Sequence, residues 1–142
     1  MAGRTLGYRL FRWGRVPPAR RRRYEADGVY ICDEGVHVTV TYRNYRAPGK
    51  RFTYRRSSGS GAVVLTSNRF AVFTYRWPVL DVSRSEPEMS ALRISAPRPG
   101  TLTIAFEAGD VNPRCSGSVT VRLRTDRALE LAALVKRESP PV

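Results

Sequence analysis

Arginine supplies most of the chemistry this chain can offer. Arg43, Arg46, Lys50, Arg51 and Arg55 crowd one short stretch, with Tyr45 among them, and Ala47-Pro48-Gly49 supplies a turn that brings both flanks to one rim. Arg20, Arg21, Arg22 and Arg23 form a second cluster, and Arg9, Arg12, Trp13 and Arg15 precede it. Cations at this density attract phosphate, whether on lipid head groups or on nucleic acid. The groups that catalysis needs are sparse. His37 is the only histidine and falls on the polar side of an alternating segment, where a solvated imidazole is expected. Cys32 and Cys115 lie far apart, and their spacing suggests neither metal nor redox chemistry. They read as small buried hydrophobes, with a disulfide as the less favoured alternative. Asp33-Glu34 and the Glu86/Glu88 pair sit in turn-like stretches and read as solubilising acids. Gly59-Ser60-Gly61 lacks the Gly-Lys-Ser/Thr of a phosphate loop, and the chain has no Gly-x-Ser-x-Gly elbow. The expectation is a protein that is not an enzyme, with no catalytic residue, cofactor or metal.

The charge is unevenly distributed. Of the net +13, eight positive charges precede the first acid, Glu25, and a second acid-free window from Gly35 to Leu80 holds eight more basic residues. The chain has 23 Arg against 2 Lys, which also fits a coding bias towards arginine. Net charge alone supports only non-specific attraction. Residues 1–27 read as a basic N-terminal arm, flexible or amphipathic. On a helical wheel Leu6, Leu10 and Trp13 share a face, Gly3, Gly7 and Gly14 weaken the helix, and Pro17-Pro18 are expected to end it. No apolar run approaches the roughly 20 residues of a membrane span. The first residues lack the apolar stretch of a secretory signal, so a cytoplasmic location is expected, with peripheral membrane attachment as a variant.

These cations are presented by a succession of short alternating segments. Val36, Val38, Val40 and Tyr42 alternate with His37, Thr39, Thr41 and Arg43, placing the valines inward. Val29 to Cys32 is a further short candidate. Phe52 and Tyr54 are predicted to share one face, with Arg51 and Arg55 projecting together on the other, and Ser57 to Gly61 is predicted to be a flexible loop. Ala62–Thr66 and Arg69–Tyr75 form a hairpin about Ser67-Asn68. Strands follow near 79–82, 92–96, 102–106 and 119–123. A single helix over 126–137, capped by Thr125, ends before a tail at 139–142. The pattern predicts one mainly β domain over 28–138, a small antiparallel barrel or sandwich of seven or eight strands capped by one C-terminal helix.

The stretch Gly61-Ala-Val-Val-Leu-Thr-Ser-Asn-Arg69-Phe-Ala-Val-Phe73 resembles the signature hairpin of GRAM-like and bacterial pleckstrin-homology (PH-like) domains. In these a glycine opens a strand ending in Leu-Thr, and a turn leads to Arg and an apolar strand. The resemblance covers roughly residues 36–136. Eight strands counted after Gly35, against the seven of a PH fold, are a departure from it. The resemblance implies a non-catalytic interaction module that binds a protein partner or self-associates. An alternative is binding to anionic membrane lipids through the arm and the 43–56 rim, where lipid-binding members carry basic residues. A second alternative is a small-ligand barrel or a non-specific nucleic-acid binder.

Overall fold

The computed structural model describes residues 16–75, 77–85 and 87–138. The sequence from 1 to 15, and with it Arg9, Arg12, Trp13 and Arg15, lies outside the described residues.

Alternation fixes the strands, and local backbone choices bend them. β1 (Val29–Ala47) and β2 (Lys50–Thr66) form one long antiparallel hairpin closed at Pro48-Gly49. β3 (Arg69–Thr74) and β4 (Trp77–Ser83) continue as a meander. After a short helix, β5 (Arg93–Arg98), β6 (Thr101–Glu107) and β7 (Ser116–Arg124) pair in turn, and β7 returns to β1. The seven strands make one antiparallel sheet in the order β4-β3-β2-β1-β7-β6-β5. β4 and β5 remain its two edges. A bulge at Glu34/Val36, with Gly35 at φ 72°, bends β1 where it passes from pairing with β2 alone to pairing with both β2 and β7.

Both flanks feed one core. Val63, Leu65, Phe70 and Val72 on one side meet Leu102, Ile104, Val121 and Leu123 on the other in a single buried cluster with Val36, Val38 and Val40. The C-terminal helix, Ala128–Glu138, plugs one end of this core with Ala128, Leu131 and Val135. Its start is capped as expected, with the Arg127 N–H donating to Thr125 Oγ1 at 3.2 Å and Thr125 Oγ1 donating to Asp33 at 2.5 Å. Arg84, buried beneath it, donates to the carbonyls of Thr66 and Leu134, binding the helix to the β2–β3 corner.

Three expectations are corrected. Ser57–Gly61 is strand, not loop: Val40 pairs with Ser57, Val38 with Gly59 and Val36 with Gly61 without a break. Its small residues answer crowding. A Cβ on Gly59 would sit 2.7 Å from the Tyr75 ring, and one on Gly61 only 2.0 Å from the Phe73 carbonyl oxygen. Joining the segments on either side reduces eight strands to seven. Cys32 is exposed and Cys115 half-buried, and both thiols are free.

The third concerns the arm. Pro17 and Pro18 begin a helix, because proline at the first helical position lacks only an N–H that would have gone unpaired, and the helix they were expected to end lies outside the described residues. Helix α1 (Pro18–Asp27) ends at Gly28 (φ 86°) and lies on the outer face of β2 and β3. There Val16 and Tyr24 cover Ala62, Val64, Ala71 and Phe73, so these strands are buried on both faces. Asp81 holds the helix by accepting from Arg20 Nη1 (2.5 Å), Tyr24 Oη (2.9 Å) and Arg69 Nε (2.8 Å). Arg21 pairs with Glu34, which also accepts the Val16 N–H at 2.7 Å.

Burial, and then the Asp81 carboxylate, push the Tyr24 hydroxyl up to about 12 from the usual 10.0. The folded state therefore prefers the neutral phenol, and this contribution is intact below pH 10 and lost as pH rises towards 12. A two-unit difference corresponds to about 2–3 kcal/mol. Alkaline titration followed by circular dichroism should show stability falling across that window, with a smaller fall in Tyr24→Phe. An equal fall in both proteins would remove Tyr24 from the linkage.

Candidate functional site

The end of the core opposite the C-terminal helix is open, and three connections surround it: the β1–β2 tip, the β3–β4 turn and the β6–β7 connection. Sequence alternation fails at the first of these for a local reason. Asn44 takes φ 50°, and Gly117 (φ 99°) lies against it so closely that a Cβ there would meet the Asn44 carbonyl oxygen at 2.4 Å. The pairing of β1 with β7 shifts register between Arg43 and Arg46. A bulge of this kind re-aims the residues beyond it. Tyr45 accordingly joins Tyr42 (ring centroids 4.9 Å apart) and Phe52 (6.0 Å, stacked) at the mouth of the open end. Phe52 and Tyr54, expected to share a face, are separated, and Tyr54 stands on the outer face beneath Arg43 at 5.3 Å.

The open end holds a cleft of about 760 Å³. Val40, Phe106 and Val119 floor it. Tyr42, Tyr45, Lys50 and Arg55 line one wall, while Tyr75, Trp77 and Pro78 line the other. The third side is Val111, Asn112 and Cys115, the first of these from a single helical turn at Ala108–Val111 between β6 and β7. Arg55 lies over the Phe52 ring at 4.8 Å, and its charge partly offsets the upward push that burial gives the Tyr42 hydroxyl. Tyr45 donates to Cys115 Sγ at 3.7 Å, and burial followed by that contact raises its hydroxyl too. Both phenols are held neutral at the cleft wall, that of Tyr45 with its proton already given in a hydrogen bond to Cys115. Thr74 Oγ1 in the wall is buried with no hydrogen-bond partner among the described residues. Trp77 is 75% exposed at the rim, although tryptophan is among the side chains that gain most from burial.

The predicted cations divide into four groups. Lys50 and Arg55 line the cleft. Arg46 and Arg51 face each other directly across the hairpin beside the turn, both exposed. Like charges opposed in a ladder repel, and an anion between them relieves the repulsion. Arg51 and Arg55 therefore do not form one projecting pair. Arg43 belongs to the outer face. Arg20 and Arg21 are engaged by Asp81 and Glu34, while Arg22 and Arg23 are exposed on α1.

No family model and no curated protein matches this chain. No helix among the described residues is long and apolar enough to cross a membrane. The open end combines cations on one wall and at the tip, neutral phenols, an apolar floor and an exposed indole. That set can hold a phosphate-bearing group while an apolar rim contacts a non-aqueous surface.

Sequence reading missed the second wall. Tyr75 comes from the β3–β4 turn and Trp77 from the start of β4, about twenty to thirty residues beyond the basic stretch, and only the β2–β3 pairing brings Tyr75 over Gly59. Tyr75 has φ 55°, unusual for an aromatic residue, and its N–H donates to Ser60 O at 2.7 Å. The Gly59 notch was the available signal.

Proposed function

We propose that this chain is a non-catalytic, PH-like binding module whose open end takes the phosphorylated head group of an anionic membrane lipid. The observation that carries this reading is the cleft itself, with Lys50 and Arg55 inside, the opposed Arg46 and Arg51 at its tip, and Trp77 exposed at its rim. The strand order, with β7 returning to β1 and a helix plugging the far end, supports the PH-like part. The cations give attraction to phosphate, and Trp77 gives a side chain suited to the interface between head groups and acyl chains.

Co-sedimentation with vesicles of neutral lipid, neutral lipid plus phosphatidylserine, and neutral lipid plus a phosphoinositide tests it at physiological salt. Head-group-selective binding is expected. At about 1 kcal/mol per basic residue near the surface, Lys50→Gln/Arg55→Gln should weaken it about thirtyfold. A chain lacking residues 1–15 separates the arm from the rim while keeping α1 and its ion pairs. Binding that ignores head group and vanishes with salt would overturn the lipid reading. A protein partner or self-association would then stand first, favoured by the placement of Trp77 and Pro78 on the free edge strand β4 beside the cleft.

A further inference from the structure

Helix α1 covers the outer face of only half the sheet. Over the other half no described residue covers the outer face of β2, β1, β7, β6 and β5, and its register can be read row by row. Thr41 sits between Arg56 and Thr120, and Thr39 between Ser58 and Arg122. Farther along, His37 pairs with Arg124, and Arg93 on β5 pairs with the outward Ala105. Arg43, Arg56, Arg93, Arg122 and Arg124 are all exposed on this face, and none forms an ion pair with a described residue. Among the described residues of these paired rows the carboxylate is Glu107, which stands at the border opposite Ser118.

The face has a focus. Arg43, Arg56 and Arg122 ring a depression of about 160 Å³ whose floor is the hydroxyl-bearing Thr39, Thr41 and Thr120. Tyr54 closes one side, 56% exposed, with the Arg43 guanidinium over its ring. Three guanidinium groups around three hydroxyls form a donor-rich, acid-free pocket of a size to admit one phosphate group. Beyond it, Arg122 and Arg124 lie two residues apart on one strand, about 6.7 Å, a spacing on the scale of successive phosphates in an extended strand.

We propose that this outer face binds single-stranded nucleic acid, with a backbone phosphate in the Arg43–Arg56–Arg122 depression, a base stacked at Tyr54, and the chain continuing along β7 towards Arg124. Charge complementarity calls for a polyanion. An exposed aromatic ring beside the phosphate pocket favours unpaired bases, whose faces are free to stack, over a duplex. A membrane is disfavoured because the row carries no large aliphatic side chain among the described residues to enter it; the aromatic rim needed for that lies at the open end. This inference does not rest on the lipid reading, since the two use different residues and different ligands.

The test is fluorescence anisotropy of a labelled oligothymidylate with full-length protein, across a salt series. Wild type should bind at physiological salt, with an affinity that falls on a log–log plot against salt. Arg56→Gln and Arg122→Gln should each raise Kd about five- to tenfold and lower the salt slope by about 0.7, the value for one phosphate contact on a single strand. Tyr54→Ala should weaken binding about tenfold and leave the slope unchanged, because stacking releases no counterion. Arg114→Gln removes the same charge from the exposed β6–β7 connection and should leave Kd and slope near wild type. All four positions are exposed, and melting temperatures check that the fold is kept. The proposal is overturned if Arg114→Gln weakens binding as much as Arg56→Gln and Arg122→Gln, if a duplex of the same length binds more tightly than the single strand, or if binding disappears at physiological salt. Loss of vesicle binding in Arg56→Gln and Arg122→Gln with oligonucleotide binding retained would also overturn it and give the face to a membrane.

Discussion

Gly61→Ala should lose at least about 3 kcal/mol of stability, which for a domain of this size lowers Tm by about 10 °C or more. The added methyl would stand 2.0 Å from the Phe73 carbonyl oxygen and 2.6 Å from Val38 Cγ2. Gly61 is buried and pairs with Val36 on one side and Thr74 on the other, so neither neighbouring strand can yield without breaking its own ladder. Overpacking at such a site typically costs 1–3 kcal/mol even where side chains alone must move. Here the obstacle is backbone, and β2 must part from β3. Gly100→Ala is the matched control. Nothing lies within 4 Å of a methyl at that position, and the substitution should be neutral or stabilise by about 0.5 kcal/mol through the unfolded chain. Thermal melts of the two variants check the contrast. A Gly61→Ala protein melting within a few degrees of wild type would mean that β2 and β3 are not packed as described.

Asp81→Ala should cost about 2–4 kcal/mol and release helix α1 in particular. The Asp81 carboxylate is the shared acceptor for Arg20, Tyr24 and Arg69, and its side chain is 13% exposed. Removing it leaves the buried Tyr24 hydroxyl without that partner and parts Arg20 and Arg69 from the charge between them. Breaking a buried pair from one side costs about 3–5 kcal/mol, reduced here because Arg20 reaches solvent. Asp81→Asn keeps an acceptor for Tyr24 and should cost less. Hydrogen exchange gives the sharper reading: amides of Arg21–Gly28 should lose protection while those of β6 and β7 keep theirs. Equal loss across the sheet would mean that α1 is not a separable layer.

How far these features were legible follows from where the information lay. Local alternation located every strand from β3 to β7 to within a few residues, and Thr125 marked the start of the last helix, because period and capping are local properties. Helix α1 was hidden because its single deep anchor is Tyr24 among four arginines, and its two prolines read as a stop. The signal that would have found it was elsewhere. Ala62–Leu65 and Phe70–Phe73 are apolar without alternation, and a strand apolar on both faces must be covered on both. Ser57–Gly61 misled in the opposite direction, since small residues chosen for close approach have the composition of a loop. The basic stretch from Arg43 to Arg55 was visible, but its division between cleft, tip and outer face depended on the Asn44 bulge. Arg122 and Arg124 joined Arg43 and Arg56 only through pairing between strands about eighty residues apart.

That long-range pairing also governs the order in which the molecule can be assembled during synthesis. β1 to β4 are linked by short turns and can pair as soon as they leave the ribosome, whereas the other edge of β1 must wait for Ser116–Arg124, about seventy residues farther along the chain. Contacts of such sequence separation close slowly, and an edge left open is free to meet the wrong partner. The Asn44–Gly117 contact then acts as a latch on the late arrival. Only the glycine tolerates the approach of the Asn44 carbonyl, and a slip of one residue would present Ser116 or Ser118 to it instead. The same bulge that turns Tyr45 towards the cleft thus checks the alignment of the last strand to join the sheet.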